Sequence, residues 1–137
     1  MNLLKISQKY RKELFQKFVL LNQGHPGSIF SMMDIVVTLY FNGFIKYDRK
    51  TKKFFDKLII SKGHATSAIF PILRDFGLIK KKEWDNWGTR KKSNLRIFGN
   101  TSINGVDVTS GSLGHGVGIG AGLAYSNKVN KKKNKIF

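Results

Sequence analysis

Three histidines and one run of glycines carry the chemistry open to this sequence. His25 stands in Gly24-His25-Pro26-Gly27 and His64 in Ser61-Lys62-Gly63-His64-Ala65, both in turns bounded by glycine, while His115 lies inside the stretch from Gly111 to Gly122. That stretch holds Gly111, Gly114, Gly116, Gly118, Gly120 and Gly122, out of 14 glycines in the whole chain. A glycine inside a regular element costs roughly 0.5–1 kcal/mol relative to alanine, so this density implies a backbone that turns tightly or lies close against a ligand or a neighbour. A glycine-rich turn that opens a helix aims free N–H groups and the positive end of the helix dipole at a phosphate. An imidazole beside it donates to phosphate or moves a proton at a sugar hydroxyl near neutral pH. Any one histidine taken alone fits a structural role better; the setting of His25 and His64 is what sets them apart.

Several familiar chemistries are excluded. Gly116-Val117-Gly118-Ile119-Gly120-Ala121 matches a loose dinucleotide pattern, but the acidic residue needed about 20 positions later to hold a ribose is missing, because no Asp or Glu follows Asp107. No Gly-Lys-Ser or Gly-Lys-Thr follows the glycines, so the phosphate loop of simple nucleotide enzymes is absent too. The histidines are spaced too irregularly for a helical zinc motif, and the acids do not cluster with them.

The elements that must position these residues follow from periodicity and breakers. Leu3 to Leu21 carries apolar residues at helical spacing between Lys and Arg, which predicts an amphipathic helix. Pro26 ends it by forcing His25 out of helical geometry. Ser28 or Ser31 would then cap a second, deeply buried helix over Met32 to Phe41. Lys57 to Ser61 reads as a short parallel strand buried on both faces, which puts His64 at the carboxyl edge where open α/β sheets bind ligands. Ala65 to Phe76 reads as a helix closed by Gly77, and Lys80 to Trp87 as a short one. Gly88 to Asn104 reads as an exposed irregular loop, and Leu113 to Asn127 as a helix packed closely on a neighbour through its glycines. Ile136-Phe137 opens a further buried strand.

Composition sets the outer bounds. The chain has 137 residues, 41% hydrophobic and 12% aromatic, enough for one domain with a sizeable core and too apolar for disorder. It has no cysteine, which excludes disulfides, thiolate metal sites and cysteine nucleophiles and fits a reducing compartment. No apolar run is long enough to span a membrane and no secretory leader is evident, so a cytoplasmic location is expected. The net charge of +17, from 25 Lys and Arg against 8 Asp and Glu, invites an anionic partner. The lysines sit in short groups flanking apolar segments, however, with no nucleic-acid-binding motif among them, so nucleic acid is not the expected partner.

Gly24-His25-Pro26-Gly27, Ser61-Lys62-Gly63-His64-Ala65 and Gly105 through Gly116 occur in the order and spacing of the amino-terminal, thiamine-diphosphate-binding domain of transketolases, which the chain resembles from about Leu3 to Phe137. The resemblance implies an α/β fold with helices packed on a short parallel sheet, present as a single partial domain over residues 1–137 and incomplete at its carboxyl end. It implies transfer of a two-carbon ketol unit between sugar phosphates of pentose phosphate metabolism, with thiamine diphosphate and Mg2+. By position, His25 resembles the catalytic histidine that touches cofactor and substrate, and His64 the one that contacts the diphosphate. Gly111, Ser112 and Leu113 resemble the segment lying along the cofactor. Gly99-Asn100-Thr101 stands where the family has a Gly-His-Pro turn, which leaves Asn100 in place of a substrate-contacting histidine. His115 replaces a glutamine. The Gly-Asp-Gly motif and asparagine that hold the metal, and the domain carrying the activating glutamate, lie beyond Phe137, so the resemblance implies no metal ligand in this chain. It also implies inactivity alone and completion by a homodimer or companion chain. Two other readings stand beside it: a non-catalytic fragment acting through partners or its basic surface, and a related ketol transferase with altered acceptor choice.

Overall fold

The computed structural model describes residues 1–137. Helices dominate: α1 Leu3–Leu21, α2 Pro26–Phe41, a 3₁₀ helix Gly63–Ile69, α3 Phe70–Asp75, α4 Lys81–Asn86 and α5 His115–Val129, with two strands, β1 Tyr47–Asp48 and β2 Lys53–Phe54. No helix is long and apolar enough to cross a membrane.

The core forms where α1, α2 and the 3₁₀ helix meet. From α1 come Tyr10, Leu14 and Phe18, from α2 Ile29, Met33, Val36 and Val37, and from the next two elements Ala65, Ala68, Ile69, Phe70, Ile72 and Leu73, all buried. The predicted first helix is therefore present, its start capped by the Asn2 carboxamide, which accepts from the Lys5 amide at 3.1 Å. Lys17 is the charged residue on its buried face. Its ammonium donates to the carbonyls of Trp87 at 2.9 Å and Asp85 at 3.2 Å, which ties α1 to the end of α4, and burial lowers its pKa.

A second polar knot joins α1 to α3. The Tyr10 hydroxyl donates to Asp75 at 2.7 Å, and Arg74 bridges Asp75 and Glu13, each at 2.7 Å. Burial alone would raise the Asp75 pKa; the bonds from Tyr10 and Arg74 more than offset it and hold the carboxyl below its ordinary range.

Five expectations change. Helix α2 begins at Pro26, six residues earlier than expected, because proline is suited to a first helical turn, and neither Ser28 nor Ser31 caps it. The segment after His64 starts as a 3₁₀ helix and becomes α-helical where Pro71 falls in the first turn of α3; Gly77, at φ +78°, closes that helix as expected. The loop from Gly88 to Asn104 is irregular but folds inward, burying Leu95, Ile97 and Ile103.

The fourth concerns the sheet. In place of the expected helix-covered parallel sheet, the two named strands β1 and β2 pair antiparallel, held against an aromatic cluster of Tyr40, Tyr47, Phe54 and Phe76 with ring separations of 4.7–5.3 Å. Residues 57–60 are extended and meet Ile136 in one isolated parallel bridge. Their other edge is taken by side chains, since the Leu58 amide donates to Asp107 at 3.3 Å and the Ile60 carbonyl accepts from Ser110 at 2.9 Å. Three backbone hydrogen bonds carry the pairing around Ile136, from the Lys57 amide to the Lys135 carbonyl at 3.0 Å, the Phe137 amide to the Lys57 carbonyl at 2.9 Å and the Ile59 amide to the Phe137 carbonyl at 2.9 Å. With Asp107 and Ser110 on the other edge, the parallel pairing is confined to these two short segments.

Helix α5 also departs from expectation. The glycines recur every second residue, and a helix sends such positions to opposite faces. A Cβ at Gly116 would lie 2.6 Å from the Ser61 Cβ, whereas one at Gly118 or Gly122 would meet nothing within 4 Å. Close packing belongs to Gly116, and the far face lies open, with Val117 75% and Tyr125 70% exposed.

Two outcomes follow from these contacts. Gly118→Ala should raise stability by about 0.5–1 kcal/mol, since alanine is the better helix former in open space, while Gly116→Ala should lower it, as thermal unfolding of the two variants would show. Tyr10→Phe should cost about 1 kcal/mol in urea unfolding at neutral pH. Because folding depresses the Asp75 pKa, that contribution is present above the unfolded carboxyl value and is lost as pH falls through the folded one, so the penalty should shrink in acid.

Candidate cofactor site

The three motifs singled out in the sequence are drawn together by short polar contacts and by glycines that permit backbone contact. The first and second meet at the start of α2. The His25 and His64 rings lie 4.8 Å apart edge to face. His64 Nε2 is 2.9 Å from the Ser28 hydroxyl, and the Lys62 ammonium donates to the Ser28 carbonyl at 2.6 Å and to the Ser31 hydroxyl at 3.2 Å. Sequence reasoning assigned no site role to Ser28, Ser31 or Lys62; the one signal available was the adjacency of Ser28 and Lys62 to the two histidine turns.

The second and third motifs meet on their backbones. The Ser110 hydroxyl donates to the Ile60 carbonyl, and the Gly116 amide donates to the Ser61 hydroxyl at 3.1 Å. Between them Gly63 approaches so closely that an added Cβ would sit 2.0 Å from the Ser110 carbonyl oxygen. No side chain fits there. Gly111 has open space where a side chain would stand, and Gly114 adopts φ +88° immediately before α5, the left-handed conformation that favours glycine.

The resulting surface has the donors a diphosphate requires. The amides of Gly111, Ser112, Leu113 and Gly114 donate to no group in the chain, and they precede the amino terminus of a 15-residue helix. Leu113 is 69% exposed and, with Gly114, faces Met32, Ile35, Leu58 and Lys62 across a cleft of about 400 Å³. His115, the first residue of α5, makes no hydrogen bond through its ring. No group of three or more His, Asp or Glu side chains able to hold a metal ion is present.

Asn100 is placed differently from the two histidines. Its side-chain oxygen accepts from the amide of Ser102 at 2.9 Å and from the Ser102 hydroxyl, which occupies it in a local turn. The loop does reach the site through its preceding residues: Phe98 lies 6.4 Å from His25 ring to ring, and a Cβ at Gly99 would strike Thr66 at 2.1 Å.

Comparison with known proteins gives the same answer as the motifs. The family model described as transketolase, thiamine diphosphate binding domain, matches residues 12–135. The chain is 30% identical over 132 residues to one of the subunits of the apulose-4-phosphate transketolase of Phocaeicola vulgatus, covering 96% of this chain and 47% of that protein. It is likewise 30% identical to the protein of the same name from Actinobacillus succinogenes, covering 95% and 49%. Against the transketolase of Rhodobacter capsulatus it is 31% identical over 78% of this chain and 16% of that one. The chain thus spans about half the length of the two apulose-4-phosphate transketolase relatives and a much smaller share of the Rhodobacter protein. With its three motifs joined on one surface and the family match running through all of them, the chain belongs to the transketolase thiamine diphosphate binding domain family.

Proposed function

We propose that this chain supplies the diphosphate-binding face of a transketolase-type enzyme that moves a two-carbon ketol unit between sugar phosphates. The observation that carries this reading is the joining of His64, His25 and the free amides of Gly111 to Gly114 through the Gly63 and Gly116 close contacts. Thiamine diphosphate, when bound, supplies a thiazolium carbon able to carry the negative charge of the transferred unit. The chain's own part is to hold the diphosphate with backbone N–H groups and the His64 imidazole along Gly111, Ser112 and Leu113. His25, against His64, is placed to exchange a proton with a sugar hydroxyl.

Magnesium and the rest of the catalytic groups come, in this proposal, from further polypeptide: a companion chain, in keeping with the naming of two relatives as enzyme subunits, or a second copy. Asn100 serves as an acceptor-side contact only if its turn opens, since Ser102 holds its oxygen. The parallel sheet of the complete fold would grow from the Lys57 and Ile136 bridge. A cytoplasmic enzyme of sugar phosphate metabolism is the setting that fits.

Calorimetric titration of the chain with thiamine diphosphate, with and without Mg2+, tests the reading. Binding is expected, weakened about tenfold by His64→Ala through loss of one charge-assisted hydrogen bond. It should be abolished by Gly63→Ala, which forces apart the second and third motifs. Absence of heat at millimolar cofactor, with the chain folded, would leave the reading of a non-catalytic fragment.

A further inference from the structure

Ser28 is the third residue of α2, a position the sequence reads as a helix cap, yet its hydroxyl is spent elsewhere. The Oγ pairs with His64 Nε2 at 2.9 Å and has no other partner in the chain. Its carbonyl is also occupied, by the Lys62 ammonium at 2.6 Å and the Ser31 hydroxyl at 3.1 Å. Residues 28 and 62–64 therefore form a closed clasp between two segments 34 to 36 positions apart in the chain. One of its arms is the Ser28 to His64 bond, and the other is the Lys62 ammonium shared between Ser28 and Ser31.

A serine hydroxyl can donate to an imidazole nitrogen or accept from its N–H, and His64 Nε2 is its one partner inside the chain. A neutral imidazole that accepts at Nε2 carries its hydrogen on Nδ1. His64 Nδ1 makes no hydrogen bond within the chain, so that hydrogen is free for an outside acceptor. Without the serine the two tautomers of an imidazole lie close in energy, and the ring has no polar contact to fix its rotation. From this geometry we propose that Ser28 is a positioning residue for His64, holding the ring in the Nδ1–H tautomer and presenting that N–H to the diphosphate, with Lys62 fastening Ser28 in place. The proposal deepens the cofactor reading given above and rests on it for the identity of the anion.

The test is nitrogen-15 NMR of the histidine side chains in the full chain, above the imidazole titration range. Wild-type His64 should show the Nδ1–H pattern as its single tautomer. Ser28→Ala should give a mixture of the two, and Ser28→Thr, which restores the hydroxyl, should recover the wild-type pattern. Inorganic pyrophosphate and thiamine diphosphate should each move the Nδ1–H signal, with affinity about threefold to tenfold lower in Ser28→Ala and regained in Ser28→Thr. Far-UV circular dichroism establishes that each variant is folded; should Ser28→Ala fail to fold, the wild-type tautomer decides alone. A wild-type Nε2–H pattern, or a Ser28→Ala spectrum and affinity unchanged from wild type, overturns the proposal. A locked Nδ1–H tautomer that neither pyrophosphate nor thiamine diphosphate perturbs supports the positioning role of Ser28 and counts against the cofactor reading, so the two fail separately.

Discussion

The meeting of the second and third motifs depends on one steric fact, that nothing larger than a hydrogen stands on Gly63 where it meets the Ser110 carbonyl. A methyl group placed there would overlap the carbonyl oxygen, and the segments before His64 and before the glycine run would separate. The Ser110 to Ile60 and Gly116 to Ser61 hydrogen bonds can form because this contact lets two backbones touch. The imidazole of His64 is then delivered to its place by the backbone rather than by packing of its own side chain.

The polar contacts around this point divide into two kinds. Those of Asp75 with Tyr10 and Arg74, and of Lys17 with the Trp87 carbonyl, are internal to the scaffold and fix how α1 sits on α3 and α4. Those of Ser28, Ser31 and Lys62 lie beside the histidines and set orientation within the site. The scaffold knots hold charge where burial opposes it and so need several partners each, as the depressed Asp75 pKa illustrates. The clasp is built from neutral hydroxyls and carbonyls about one ammonium, a less demanding arrangement to keep at a surface proposed to receive an anion.

Much of this was legible in the residues themselves. The apolar spacing of Leu3 to Leu21 announced α1, Gly77 announced the end of α3, and the three glycine-bounded motifs marked segments that the fold does bring together. What the residues could not reveal were matters of partnership. A run such as Lys57 to Ile60 reads as a buried strand whether or not strands stand beside it, and here side chains of Asp107 and Ser110 take the place of one neighbour. The inward fold of Leu95, Ile97 and Ile103 had no periodicity to betray it. Ser28 reads as a cap by position, and only the spatial proximity of His64 shows it otherwise engaged. In α5 the alternation of glycine suggested one close interface, but a period of two on a helix distributes small residues around the axis.

That open side of α5 has a colloidal consequence. Val117, Tyr125 and Val129 present apolar area to water, a setting in which molecules adhere to one another. The surplus of 17 positive charges opposes this, because approach of two copies costs Coulomb energy over the distance that dissolved ions leave unscreened. The lysines that contribute nothing to the site therefore act as a dispersant. Their protection is set by ionic strength, strong in dilute buffer and weakened to the range of a few ångströms in concentrated salt.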